Sequence, residues 1–277
     1  MAAVPELAEV ETLRRDLIPL YVGHRLDGIA IMGPRTVRRH RPEMLQALPG
    51  EVLGRVGRHG KYLLLGWESG RILVVHLRMS GQLLASAPGA PLASHTHAVL
   101  YFEDAPELRF VDPRTFGELF VASPPDGAGT VAEIDHLGPD AVVVEAKYLE
   151  RALAGRRAPL KSIMLDQSVL AGIGNIYADE ICFAARLRPD RAAGSLRATQ
   201  VDRLARSVRS VLEAAISKRG STLGDGQYVD LRGRSGSYQT QHMVYGRAGQ
   251  PCRVCGQEVV KLALGARSAF ACLGCQS

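Results

Sequence analysis

Four of the chain's five cysteines fall in two tight pairs near its C-terminal end, Cys252-Arg-Val-Cys255 and Cys272-Leu-Gly-Cys275. Two thiolates three positions apart can grip one side of a tetrahedral ion. A second pair, returned by a hairpin, closes the other side. Soft sulfur ligands in four-fold geometry point to Zn²⁺. The intervening stretch holds Val259, Val260, Leu262 and Leu264, which suits a two-stranded ribbon. Two disulfides are the other use that four cysteines allow. Arg267 lies on the ribbon, five residues before Cys272, where a bound ion is expected to hold it rigid. An ion that only braces the fold is the alternative.

The 277 residues suffice for two ordinary domains with their own cores. The net charge of +6 is unevenly placed. Residues 1–150 carry 15 Lys and Arg against 19 Asp and Glu; residues 151–277 carry 19 against 9. A basic C-terminal half beside a metal ribbon suggests a polyanionic partner, with a solvated basic surface as the plainer reading. No apolar run is long enough to span a bilayer. Glu6, Glu9, Glu11, Arg14 and Arg15 stand where a signal peptide needs an apolar core, so secretion is not expected. The fifth cysteine, Cys182, sits in an apolar stretch as a packed thiol. This cysteine usage belongs to a reducing compartment, the cytoplasm.

Residues 5–20 predict a helix, with Pro5 in its first turn and Glu6, Glu9 and Glu11 near the positive end of its dipole. From about residue 24 the pattern turns to strands. Lys61–Trp67 and Arg71–Leu77 flank a Glu68-Ser69-Gly70 turn and predict a hairpin. His97–Phe102, Leu108–Val111 and Glu118–Val121 predict further short strands, and the succession suggests a sandwich. Residues 123–130 resemble a linker. Beyond them Val201, Leu204, Val208, Val211, Leu212 and Ala215 form the apolar stripe of a helix. Residues 220–249, rich in Gly, Ser, Gln and Tyr, predict a mobile loop.

Gly172-Ile-Gly-Asn175 places two glycines ahead of a helix, where the backbone can approach a phosphate and free N–H groups present positive potential. A plain helix–helix turn would look the same. The motifs in order are Pro5-Glu-Leu-Ala-Glu-Val-Glu-Thr12, His59-Gly-Lys-Tyr-Leu-Leu-Leu65, His76-Leu-Arg-Met-Ser-Gly81, Asp112-Pro-Arg-Thr-Phe-Gly117, Leu165-Asp-Gln167 with the glycine turn, Val244-Tyr-Gly-Arg247, and the cysteine ribbon closed by Gln276. In this order and over nearly its whole length the chain resembles the formamidopyrimidine-DNA glycosylases.

The resemblance implies an α+β multidomain protein. It has an N-terminal β-sandwich flanked by helices over residues 1–122 and a linker over 123–130. A helical domain with a helix–two-turn–helix and a lesion-capping loop covers 131–243, and a zinc ribbon covers 244–277. It implies a monomer acting on damaged double-stranded DNA, with one structural Zn²⁺ on Cys252, Cys255, Cys272 and Cys275 and no membrane partner. The implied activity is excision of oxidised purines, 8-oxoguanine and formamidopyrimidines, followed by strand cleavage. The implied catalytic residues are Pro5 as the N-terminal amine nucleophile, Glu6 as general acid, Lys61 for β-elimination and Arg267 for δ-elimination. Met79, Arg114 and Phe116 match the wedge that fills the space of an extruded base; His95, Arg156, Lys161 and Asn175 match phosphate contacts. The loop Gly220–Tyr238 matches the segment that closes over the base.

The chain departs from the family at its front, where Met1-Ala-Ala-Val4 precedes Pro5. An internal proline nitrogen is an amide with no nucleophilic lone pair. A translational start at a GUG codon for Val4 would give Met-Pro-Glu and restore the nucleophile, and this is the expected form. A lesion- or abasic-site-binding relative without lyase activity is the alternative. A glycosylase for oxidised pyrimidines is a second enzyme reading, which the motifs at His76–Gly81 and Asp112–Gly117 disfavour. Ala8 and Thr115 replace the proline and arginine frequent in the family.

Overall fold

The computed structural model describes residues 5–39, 43–122, 131–224 and 226–277. The linker expected over 123–130 and residues 1–4 lie outside these. The chain forms two compact units, one of residues up to His136 together with Arg219–Ser237, the other of Leu137–Lys218 and Tyr238–Ser277.

In the first unit, α1 (Leu7–Tyr21) begins two residues later than the sequence suggests, because Glu6 takes the N-cap and Pro5 precedes the helix. The Glu6 N–H donates to Glu9 Oε2 at 2.9 Å. This satisfies a backbone donor that the helix start would otherwise leave free. Then follow β1 (Leu26–Ile31), the single turn α2 (Glu43–Gln46), β2 (Leu53–His59), β3 (Tyr62–Trp67), β4 (Ile72–His76), β5 (Gln82–Ser86), β6 (Thr96–Phe102), β7 (Glu107–Val111) and β8 (Glu118–Ala122). They make two four-stranded antiparallel sheets, ordered β1-β6-β7-β5 and β2-β3-β4-β8.

One core joins both sheets and the helix. Leu63, Leu65, Leu73, Val75, Leu119 and Val121 come from alternate positions of the second sheet. Ala98, Leu100, Leu108 and Phe110 come from the first, and Val10, Leu13, Leu17 and Tyr21 from α1. Each such side chain contributes about 1.5–3 kcal/mol on burial. The predicted hairpin is the β3–β4 pair, with Tyr62 opposite His76.

Buried charge fixes α1 to the sheet. Glu11 accepts Arg58 Nε at 3.1 Å from β2, and Arg14 and Arg15 from its own helix. Burial opposes its charge, but the three guanidiniums outweigh it and lower its pKa to about 2. The depressed pKa means its contribution is complete above the unfolded-state value near 4.5 and is lost as pH falls toward 2. Glu11→Gln should therefore cost on the order of 2 kcal/mol at pH 7 and much less at pH 3, read from denaturant melts at both values.

In the second unit, α3 (Ala146–Leu153), α4 (Leu160–Met164), α5 (Asn175–Ala184) and α6 (Ala198–Ser217) precede the ribbon of β9 (Val259–Leu264) and β10 (Arg267–Cys272). The apolar stripe foreseen for residues 201–215 is the buried face of α6. No helix among the described residues is long and apolar enough to cross a membrane.

Candidate active site and metal centre

Pro5 and Glu6 stand at the head of α1, and both are buried, Glu6 at 3 % exposure. Glu9, one turn on, connects this corner to residues 219–237. Its Oε1 accepts the Ser221 N–H at 2.7 Å. Gly220 has φ +78°, and a Cβ there would lie 2.6 Å from Glu9 Oε1, so only glycine lets the chain pass. Thr222 Oγ1 donates to the Tyr228 carbonyl at 2.8 Å and accepts the Gly236 N–H at 2.9 Å. Arg219 pairs with Asp16 of α1 and with buried Asp230. These bonds tie down the first part of the stretch that composition alone suggests is a mobile loop.

Lys61 is half-buried at the β2–β3 turn, where Gly60 has φ +55°. Beside it is His76, a motif residue to which the sequence alone assigns no role. Its ring packs edge-on against Tyr62, with centroids 4.3 Å apart. Burial, then the charges of Arg78, Lys61 and Arg39, push its pKa well below the usual value. His76 Nδ1 accepts the Arg78 N–H at 2.9 Å, so the neutral ring carries its proton on Nε2. A neutral donor beside a lysine suits an anionic backbone oxygen. Its sequence signals are its place at the head of the His76–Gly81 motif and a histidine ending an otherwise apolar strand.

Met79, Arg114 and Phe116 lie on the turns after β4 and β7. Phe116 is 44 % exposed, and the Arg114 guanidinium sits 5.0 Å from its ring centroid. An exposed phenylalanine under a cation is poor use of apolar surface in an ordinary core, and suits insertion between bases. His95 is exposed on the turn before β6.

In the second unit Arg156 is exposed and Asn175 opens α5 after Gly174. The Asn175 Oδ1 is buried without a hydrogen-bond partner. Lys161, expected on a phosphate, is instead 1 % exposed. Its ammonium donates to Asp179 at 2.8 Å and to the Ser268 carbonyl at 2.7 Å. Asp179 also accepts the Phe270 N–H at 3.1 Å. Burial raises the Asp179 pKa to about 7 against the opposing pull of Lys161. Its neighbour Glu180, whose pKa burial also raises, accepts the N–H groups of Met243, Val244 and Tyr245 at 2.8–3.0 Å. α5 thus holds the ribbon by its sides.

The four cysteine Sγ atoms lie within 4.8 Å of one another, with Cys252–Cys275 at 3.9 Å and Cys255–Cys272 at 3.3 Å. None of the four is bridged, and all four sulfurs gather at one point, as a shared ion requires. Tetrahedral thiolates around Zn²⁺ would be separated by ~3.8 Å, so the set fits a metal of that size. Gln276 braces the site, accepting the Cys272 N–H and donating to the Leu187 carbonyl, both at 2.8 Å. Arg267 begins β10 at the hairpin tip, opposite Leu264, whereas Cys272 ends the strand. Five residues of strand put the tip roughly 17 Å from the sulfurs. The cysteines therefore fix the base of the ribbon, and the Lys161–Asp179 pair, bonded to Ser268 and Phe270, positions the stretch that carries Arg267.

The sequence matches the Formamidopyrimidine-DNA glycosylase N-terminal domain over residues 4–119 and the Formamidopyrimidine-DNA glycosylase H2TH domain over residues 137–226. A formamidopyrimidine-DNA glycosylase of Moorella thermoacetica is 43 % identical over 262 residues, covering 94 % of each chain. One from Salinispora arenicola is 42 % identical over 280 residues, covering 99 % of this chain and 96 % of the relative. The crystal structure of the MutM (Fpg) protein from Thermus thermophilus matches with a TM-score of 0.85 at 40 % identity, over 98 % of both chains. Lactococcus lactis Fpg bound to DNA with an abasic site matches with a TM-score of 0.86 at 29 % identity, over 98 % of this chain and 99 % of that one. The chain belongs to the formamidopyrimidine-DNA glycosylase family, with its β-sandwich, its helix–two-turn–helix domain and its cysteine-bearing ribbon.

Proposed function

We propose that the protein excises oxidised purines, 8-oxoguanine and formamidopyrimidines, from double-stranded DNA and then cleaves the strand. It does so as a monomer in the bacterial cytoplasm, at the nucleoid. The observation that carries this reading is the corner at α1: Pro5 and buried Glu6 lie together, and Glu9 ties them to residues 219–222. The target base must leave the stack before a side chain reaches its glycosidic bond. With Pro5 as the mature N-terminus, its secondary amine attacks C1′ while Glu6 supplies a proton. The C1′–N bond breaks and the base leaves with the proton shed by the amine; the C1′–O4′ bond then opens as O4′ takes up the proton from Glu6, and a cationic Schiff base remains. An α-amino group titrates near pH 8, which leaves a useful unprotonated fraction at neutrality. The Schiff base acidifies the neighbouring C–H, and loss of that proton expels the first phosphate with Lys61 assisting. Arg267 assists expulsion of the second.

His95, Arg156 and Asn175 contact phosphates in this reading; Lys161 acts on the ribbon's position instead. We assign the cysteine site to one Zn²⁺, which supplies a structural cross-link. Freshly purified protein should contain one zinc per chain, and chelation should abolish DNA binding before the sandwich unfolds. Protein that is zinc-free as isolated yet binds DNA normally would count against the assignment.

The products test the sequence of steps. Protein beginning at Pro5 should leave phosphate on both ends of a one-nucleotide gap in DNA that contained 8-oxoguanine. Arg267→Ala should accumulate the β-elimination product, whose 3′ end keeps an unsaturated aldehyde and migrates more slowly on a sequencing gel. Parent-like ends from Arg267→Ala would remove Arg267 from the second elimination. With Val4 still bonded to Pro5 the nitrogen is an amide, and that form is expected to bind lesions without cutting.

A further inference from the structure

Two turns carry the side chains assigned to the wedge, and each crosses from one sheet to the other, between β4 and β5 and between β7 and β8. Met79 follows β4, while Arg114 and Phe116 follow β7. A single carboxylate joins them. Asp112 is fully buried, at 0 % exposure. Its Oδ1 accepts the Ser80 hydroxyl at 2.5 Å and the Arg114 N–H at 3.1 Å. Its Oδ2 accepts the Gly117 N–H at 2.7 Å. The backbone of the same residue reaches a third turn: the Asp112 N–H donates to the His95 carbonyl at 3.0 Å.

The geometry around this carboxylate is costly on its own. Arg78, His95 and Thr115 all take left-handed backbone conformations, with φ +53°, +63° and +55°, and none is glycine. Such conformations persist only where the surroundings over-determine them. Gly117 sits where a Cβ would lie 2.4 Å from Phe110 Cζ and 3.1 Å from Asp112 Oδ2. The chain is packed down onto the carboxylate, with no room for a side chain or an intervening water.

We propose that Asp112 is the positioning residue that makes Met79, Arg114, Phe116 and His95 one rigid probing unit. The carboxylate takes donors from both wedge turns, so neither turn can shift without breaking a buried charge-assisted hydrogen bond. A wedge of this kind resists the stack as one body when it is driven between bases, and three independently mobile loop tips would yield. Its consequence is selective for the step that opens the helix. A lesion still stacked in duplex DNA needs the wedge held in register. An abasic site has no base to displace and needs it far less. This inference rests on the glycosylase reading above.

The test uses the full chain beginning at Pro5, with Asp112→Asn and Ser80→Ala. An Asn amide has one acceptor oxygen, so its NH₂ must confront a donor on at least one wedge turn. Hydrogen exchange on the free proteins reads the coupling without reference to activity. Asp112→Asn should accelerate exchange at 78–81 and at 114–117 together, and Ser80→Ala at 78–81 alone. Single-turnover excision of 8-oxoguanine from duplex should fall about 10- to 100-fold in Asp112→Asn, the worth of one charge-assisted hydrogen bond. Cleavage at a preformed abasic site should stay close to the parent rate. Faster exchange confined to 114–117, or equal losses on the two DNAs, would overturn the proposal. A parent that cuts neither DNA would sink the glycosylase reading, while joint loosening of both turns would still uphold the coupling through Asp112.

Discussion

Glu6→Gln is expected to lower excision of 8-oxoguanine by roughly 10²- to 10⁴-fold, the ordinary worth of a general acid. Glutamine keeps the shape and the hydrogen-bonding capacity of the side chain and cannot deliver a carboxylic proton. The N-cap uses the Glu6 backbone N–H on the Glu9 carboxylate, which the substitution leaves alone, and a Glu6 side-chain oxygen on the Glu9 N–H, which the glutamine amide oxygen can replace. The melting temperature and the affinity for lesion-bearing DNA should therefore change little. The comparison to make is single-turnover base release by both proteins, each beginning at Pro5, at saturating protein. Base release at the parent rate would show that Glu6 serves only to start α1.

Much of the site is local and so was legible in the sequence. The cysteine spacing declares its ribbon because each ligand pair lies within one turn of chain. The β3–β4 hairpin is legible because its turn and its apolar runs adjoin. β2 and β5 have no such signature: Leu53–His59 interrupts its apolar positions with glycine and arginine, and Gln82–Ser86 is short and mixed. The long-range ties were not legible at all. Ser221 and Glu9 are 212 residues apart, and no pattern in either neighbourhood announces their bond. Lys161 has the composition of a surface phosphate contact and the position of a buried strut, because its partner Asp179 lies on another helix. Asp112 reads as an acidic turn residue until the turn between β4 and β5 is brought against it.

The central claim is that the amine of Pro5 forms the covalent bond to DNA. Its chemistry is all or nothing, because a proline nitrogen acylated by Val4 has no lone pair free for attack on C1′. The two forms of the protein to compare are the chain with residues 1–4 and the chain whose first residue is Pro5, each verified by intact mass. Both retain the ribbon, the glycine turn ahead of α5 and the Asp112-centred turns, so both should bind DNA containing 8-oxoguanine. Borohydride reduces a Schiff base to a stable amine and freezes the protein onto the strand. Incubation of each form with borohydride and 8-oxoguanine DNA should yield a covalent complex with the form beginning at Pro5 and none with the longer form. Equal trapping of the intact longer form would contradict the account, and would pass the nucleophile to another amine, of which Lys61 is the first to substitute.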